Sequence, residues 1–181
     1  MNREFDQAGW LNDVRHIESA NFDDRPVGTP IDLLVIHNIS LPPGEFGGDG
    51  VIELFTNRLD PAAHPYYRTI EGLRVSAHFF IRRDGELIQF VAADKRAWHA
   101  GRSACNGREC CNDFSIGIEL EGADDTPFTD AQYESLNGLI GVLCRHYPIG
   151  AIVGHSDIAP GRKTDPGPCF DWGRLDKAQA A

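Results

Sequence analysis

The sequence predicts a mixed α/β fold, with a central mixed β-sheet flanked by helices. Three observations carry that expectation. Strand-like and helix-like segments interleave along the chain, which favours layers of sheet and helix. The run Leu33-Leu34-Val35-Ile36 is apolar on both faces, as suits a strand covered from both sides. Asp84-Gly85 separates two strand-like runs and is a tight-hairpin signature, so at least one pair of neighbours runs antiparallel.

Taken in order, residues 6–17 carry Trp10, Leu11, Val14 and Ile17 on a loosely helical spacing and predict a short N-terminal helix. Ser19 to Pro30 is polar and broken by Pro26, Gly28 and Pro30, hence a loop. Ile31–His37 reads as a strand ended by Leu41-Pro42-Pro43-Gly44, and residues 51–59 as a short helix. Ala77–Arg82 and Glu86–Val91 form the hairpin strands. Phe114–Glu121 alternates, with Phe114, Ile116, Ile118 and Leu120 on one face and Ser115, Gly117, Glu119 and Glu121 on the other. Residues 130–147 read as a helix, with Thr129 and Gln132 as a capping box and Tyr133, Leu136, Leu139, Ile140 and Leu143 as its apolar stripe. Ile149–His155 is a last short strand, and Ala159–Trp172 a loop rich in Pro and Gly.

A chain of 181 residues fits one domain, 1–181, with its core at about 30–172. Hydrophobic residues at 41% and charged residues at 24% argue against disorder. A net charge of −10 repels phosphate backbones and anionic lipid, so neither nucleic acid nor a membrane surface is an expected partner. No aliphatic run approaches the length of a membrane span. The start, Met1-Asn2-Arg3-Glu4-Phe5-Asp6, leads into no apolar targeting segment. The five cysteines are odd in number and lack a C-x-x-C, which reads as reduced thiols in a cytoplasmic protein. No obligate protein partner is expected.

Seven histidines are present. A lone histidine in a strand is ordinarily a satisfied core residue, but His37 and His155 each end an apolar strand. Asp165 follows in a loop stiffened by Pro160, Pro166 and Pro168, each of which fixes its own φ. Two neutral imidazoles and a carboxylate leave a dication with a net charge of about +1 and an open fourth position, a catalytic rather than structural arrangement. Such a metal lowers the pKa of water to about 7 and polarises carbonyls. His78 and His99 compete as ligands, and the same donor set suits non-haem iron.

Several segments resemble the AmpD family of cytoplasmic anhydro-N-acetylmuramoyl-L-alanine amidases. They are Val35-Ile36-His37-Asn38-Ile39-Ser40 through Gly47-Gly48; Arg74-Val75-Ser76-Ala77-His78 with Ile81 to Gly85; Asp94 to Trp98-His99-Ala100-Gly101; Cys111-Asn112-Asp113-Phe114 through Gly122; and Gly154-His155-Ser156-Asp157 through Lys163-Thr164-Asp165-Pro166-Gly167-Pro168. Together they span nearly the whole chain in order. The resemblance implies the amidase and peptidoglycan-recognition fold. It implies one zinc ion per chain on His37, His155 and Asp165, rather than on His78 or His99. It implies Glu119 and Lys163 as catalytic residues, where strand periodicity alone does not choose between Glu119 and Glu121. The implied reaction splits the bond between the muramic lactyl group and L-alanine during cell-wall recycling, which also lowers the muropeptide signal for β-lactamase induction.

Within that reading Glu119 serves as base and Lys163 stabilises the oxyanion, and Gly117 beside Glu119 leaves room for substrate. Asn38, Arg74, Trp98 and the backbone of Ala159 are the expected contacts to a small-molecule anhydromuropeptide. Related sequences often carry Arg where this chain has Cys110, so a basic contact to the peptide is either missing or replaced, with Arg108 the candidate. The competing readings are a non-catalytic peptidoglycan-recognition module and a non-haem iron oxygenase.

Overall fold

The computed structural model describes residues 3–176. Its strands are β1 (Arg15–His16), β2 (Phe22–Asp23), β3 (Leu33–Ile39), β4 (Phe79–Ile81), β5 (Leu87–Gln89), β6 (Arg96–Ala97), β7 (Ala104–Cys105), β8 (Arg108–Glu109), β9 (Ser115–Glu121) and β10 (Ala151–Gly154). Its α-helices are α1 (Gly50–Phe55), α2 (Pro65–Thr69), α3 (Asp130–His146) and α4 (His155–Ile158). Six strands form a mixed sheet in the order β1-β5-β4-β9-β3-β10. Only the β4–β5 hairpin is antiparallel; every other pair in that sheet is parallel. The mixed sheet flanked by helices is therefore as expected.

Both faces of the sheet are covered. On one, Leu34, Ile36, Ile116, Ile118 and Leu120 pack against Tyr133, Leu136, Leu139, Ile140 and Leu143 of α3. On the other, Phe80 and Ile88 meet Val51, Ile52, Leu54 and Phe55 of α1, and Leu33 and Val35 meet Ile158 of α4. Burying each such aliphatic side chain contributes about 1.5–3 kcal/mol. The central strand β9 is buried along its whole length. Its polar face, Ser115 to Glu121, is thus an interior surface rather than a solvated one.

Local chemistry sets the boundaries. Gly85 closes the hairpin at φ +87°, and a Cβ there would stand 2.8 Å from the Ala131 carbonyl oxygen. This turn needs a residue without a side chain. At α3 the Thr129 hydroxyl accepts from the Gln132 N–H at 3.1 Å, and the Gln132 carboxamide oxygen accepts from the Thr129 N–H at 3.1 Å. The capping box read from sequence is present.

Two expectations fail. Residues 6–17 are not a helix. The Asp6 carboxylate accepts from the N–H groups of Ala8 and Trp10, both at 2.9 Å, and captures the backbone in a side-chain turn. Gly9 then takes φ +84°, and the Leu11 N–H donates to the Gln89 side chain at 2.8 Å. The apolar residues are buried by a loop and the short edge strand β1 instead. The second is the end of the last strand: β10 stops at Gly154, and His155 opens α4, with Asp157 accepting from the Gly154 N–H at 2.7 Å as its cap. Among the described residues no helix is long and apolar enough to cross a membrane.

Thr129 also donates its hydroxyl to the Arg83 carbonyl at 2.7 Å, tying α3 to the hairpin turn. Thr129→Ala is expected to cost about 1–2 kcal/mol, read as a lower urea midpoint at unchanged slope. An unmoved midpoint would show that the cap adds nothing.

Candidate metal centre

His37, His155 and Asp165 come together at one end of the sheet. β3 and β10 are parallel, with Ile36 opposite Gly154, so the residue after each arrives at the same edge. That edge is the carboxyl end of the strands, where open α/β sheets place their sites. His37 Nδ1 lies 2.9 Å from His155 Nδ1, and Asp165 Oδ2 lies 3.0 Å from each. The imidazoles are 1% and 3% exposed and the Asp165 side chain 13%. The Asp165 loop is held in place by its own backbone and by β3. The Asp165 carbonyl accepts from the Ser156 N–H at 2.9 Å, and Asn38 Nδ2 donates to the Pro166 carbonyl at 3.0 Å and to Asp124 at 2.7 Å.

The donor chemistry fits a divalent ion. His155 Nε2 faces the Ala100 carbonyl at 3.0 Å. A carbonyl only accepts, so Nε2 donates to it, and Nδ1 is the nitrogen turned to the carboxylate. Burial pushes His37 down to about 4, against the opposing pull of Asp165, so its ring is neutral at pH 7. Two ring nitrogens and a carboxylate oxygen, all within 4.8 Å of one another, form a group able to hold a metal.

The two other candidate histidines stand behind this group. His78 is fully buried: Nδ1 accepts from the Gly117 N–H at 3.0 Å and Nε2 faces the Lys95 carbonyl at 3.0 Å. His99 Nδ1 faces His37 Nε2 at 2.9 Å, on the side of that ring away from Asp165. Its ring fills the space beside Gly117, where a Cβ would meet His99 Cγ at 2.4 Å. The room left by Gly117 therefore holds an imidazole, not substrate.

Glu119 lies directly opposite His37 across the β3–β9 pair. Its Oε2 is buried with no hydrogen-bond partner among the described residues. Burial raises its pKa well above the ordinary value; the Asp165 carboxylate raises it further and Lys163 offsets part of the rise. Glu121, two residues on, is committed elsewhere. Its Oε1 accepts from the Gly47 N–H at 2.6 Å and its Oε2 from the Arg83 N–H at 3.0 Å. Only the first of the two carboxylates faces the centre with a free oxygen.

A cleft of about 370 Å³ opens over the group and is bordered by Glu119 and Lys163, with Leu41, Tyr66 and Trp98 on its walls. Asn38 borders it too, although its amide hydrogens are engaged as described. Trp98 is half-buried and donates its indole N–H to Asp23 at 3.1 Å. Arg74 is exposed in an adjoining recess of about 190 Å³ that shares Leu54, Ile70 and Leu73 with the cleft. Ala159 lies in a neighbouring cavity of about 540 Å³ with Cys110, Arg102 and Arg162. Its carbonyl accepts from the N–H groups of Arg162 and Lys163, and its N–H donates to His155. Arg108 does not replace a basic group at Cys110: it pairs with Asp32 at 2.7 Å and stacks on Phe114. Leu41 and Tyr66 were missed in the sequence because neither type signals a site; only the fold brings them to the wall.

Residues 27–168 match the family model described as N-acetylmuramoyl-L-alanine amidase. The chain is 61% identical over 171 residues to the 1,6-anhydro-N-acetylmuramyl-L-alanine amidase AmpD of Enterobacter cloacae, covering 93% of this chain and 91% of that one. It superimposes on the crystal structure of a selenomethionine AmpD derivative with a TM-score of 0.93 at 56% identity, over 98% of this chain and 99% of the other. The amidase AmiD from Escherichia coli, solved with anhydro-N-acetylmuramic acid-L-Ala-D-gamma-Glu-L-Lys, matches with a TM-score of 0.60 at 30% identity, over 97% of this chain and 65% of that one.

The buried imidazoles make stability depend on pH. His37 is held at about 4 and His78 at about 3, below the ordinary 6.5. Between those values the unfolded chain binds protons that the folded chain refuses. The stability is present above pH 6.5 and is lost as pH falls toward 4, by roughly 1.4 kcal/mol per pH unit for each group. The Tm of the metal-free protein should fall steeply over that window. A flat Tm would mean that these rings titrate normally in the fold.

Proposed function

The chain belongs to the N-acetylmuramoyl-L-alanine amidase family, and on that premise we propose that it hydrolyses the amide between the lactyl group of a 1,6-anhydro-N-acetylmuramoyl peptide and its L-alanine. The observation that carries this reading is the meeting of two imidazoles and a carboxylate beside a buried carboxylate with a free oxygen. The substrate class is supported by AmiD, whose solved complex holds an anhydromuropeptide. The protein would act in the cytoplasm on fragments recovered from the cell wall, and so lower the muropeptide signal for β-lactamase induction.

His37, His155 and Asp165 would hold one zinc ion per chain. When bound, zinc supplies a Lewis acid for the scissile carbonyl and lowers the pKa of water to about 7. Glu119 takes a proton from the water that adds to the carbonyl carbon. Burial raises the proton affinity of this carboxylate, which makes it a stronger base that holds the proton until the leaving nitrogen receives it. The same proton goes to the amide nitrogen as the C–N bond breaks, leaving the free amine of L-alanine and a lactyl carboxyl group, which keeps the water's second proton until it ionises. Lys163, bordering the same cleft, stabilises the negative charge that builds on the carbonyl oxygen.

Trp98 covers the sugar, and Asn38 borders the peptide path with its carbonyl oxygen. Arg74 grips a peptide carboxylate with paired hydrogen bonds. Ala159 lies along the backbone that leads from His155 to Lys163 and contacts the peptide there.

The test is release of the L-alanine-led peptide from purified anhydromuropeptide, with and without a chelator, beside the zinc content of the protein. Chelator-sensitive release with one zinc per chain is expected. Binding without turnover would return the chain to a recognition role, and iron with oxygen-dependent activity would return it to oxygenase chemistry. Glu119→Gln should keep its zinc and lower kcat by about 10²–10⁴-fold. Lys163→Ala should lower kcat by about 10²–10³-fold. Near-normal turnover in either variant removes the role given to that residue.

A further inference from the structure

We infer that the dipeptide His99-Ala100 is a positioning device that fixes the ring orientation and tautomer of both metal-facing histidines, and that Asn112 locks it in place. This rests on the metal-centre reading above but concerns residues outside the proposed ligand set. The segment belongs to the Trp98-His99-Ala100-Gly101 motif, whose histidine the amidase chemistry leaves unused.

The proton order can be read from the far end. The Cys111 carbonyl only accepts, so the Ser115 hydroxyl at 2.6 Å donates to it. Ser115 Oγ then has a lone pair left for His99 Nε2 at 3.1 Å, and His99 carries its proton there. Its Nδ1 is therefore bare and accepts from His37 Nε2 at 2.9 Å. His37 is left with Nδ1 unprotonated, facing Asp165 at 3.0 Å. The next residue does the same for the other ring, since the Ala100 carbonyl accepts from His155 Nε2 at 3.0 Å. A side chain serves one ligand and a backbone carbonyl the other.

Two features hold the dipeptide. The Asn112 carboxamide oxygen accepts from the N–H groups of His99 at 3.2 Å and Ala100 at 2.8 Å. The His99 ring lies against Gly117, where a Cβ would stand 2.4 Å from its Cγ. The rings of His37 and His99 meet edge to face, 5.0 Å apart and 85° between planes. Groups that hold the second nitrogen of a ligand histidine set its orientation, and losing them typically weakens metal binding 10–100-fold.

The experiment compares wild type with His99→Phe, which keeps a ring on Gly117 but offers no acceptor, and His99→Asn, which returns a carbonyl oxygen near the Nδ1 position. Side-chain ¹⁵N shifts of the metal-free proteins report the His37 tautomer, and competition with a chelating dye reports zinc affinity. Wild type should show His37 and His155 each protonated on Nε2. In His99→Phe, His37 should become a tautomer mixture while His155 stays as it is, and zinc affinity should drop about 10–100-fold. His99→Asn should recover most of both. Gly117→Ala, which displaces the ring, should weaken zinc binding in the same way. If His99→Phe does not fold, Ser115→Ala carries the test, because it removes the acceptor for His99 and should also mix the His37 tautomers. Wild-type tautomer and affinity in His99→Phe, or in Ser115→Ala if that is the variant that folds, would overturn the inference. A wild-type protein that binds no zinc would instead sink the metal-centre reading, and the tautomer measurement would still judge this one.

Discussion

The parallel register of β3 between β9 and β10 is the constraint on which the rest of the molecule depends. It sets His37 opposite Glu119 on one side and delivers Gly154, and then His155, on the other. A slip of one residue in either pair turns the side chains to the opposite face. The catalytic geometry is thus a property of backbone hydrogen bonding, and the core formed by α3 and the sheet is what fixes that register. Helices α1 and α4 close the other face and leave open the cleft that reaches the centre.

The price of this arrangement is electrostatic. Folding gathers three acceptors at about hydrogen-bond distance from one another and buries a fourth group, Glu119, without a partner for one oxygen. Buried polar atoms ordinarily find partners, and exceptions concentrate where chemistry is done. Two buried polar neighbours obey the rule. Glu121 is satisfied at both oxygens, and His78 is engaged at both nitrogens. The contrast between Glu119 and Glu121, two carboxylates on one face of one strand, separates a reactive group from a structural one.

Much of this was legible in the sequence because the relevant signals are local. The apolar run of β3, the hairpin glycine and the Thr129–Gln132 cap each act over a few residues, and each is found as read. The chosen metal-facing residues do converge. What was not legible depends on distant partners. The spacing of Trp10, Leu11 and Val14 resembles a helix, but Asp6 takes the N–H groups of Ala8 and Trp10 and Gln89 takes that of Leu11, a pairing that exists only in the fold. Alternation along β9 shows which residues share a face, not that both faces are covered. Gly117 reads as open space until His99 arrives from another segment to fill it.

The make-up of the metal-facing group has a consequence for the conditions in which the protein can work. Its donors are two nitrogens and an oxygen, and none of the five thiols of the chain belongs to it. Peroxide and related oxidants convert thiolate ligands stepwise to sulfenic and sulfinic acids and release their metals. Imidazole and carboxylate offer no such step. Oxidative stress therefore has no direct handle on this centre, and damage to Cys105, Cys110, Cys144 or Cys169 leaves its ligands chemically intact.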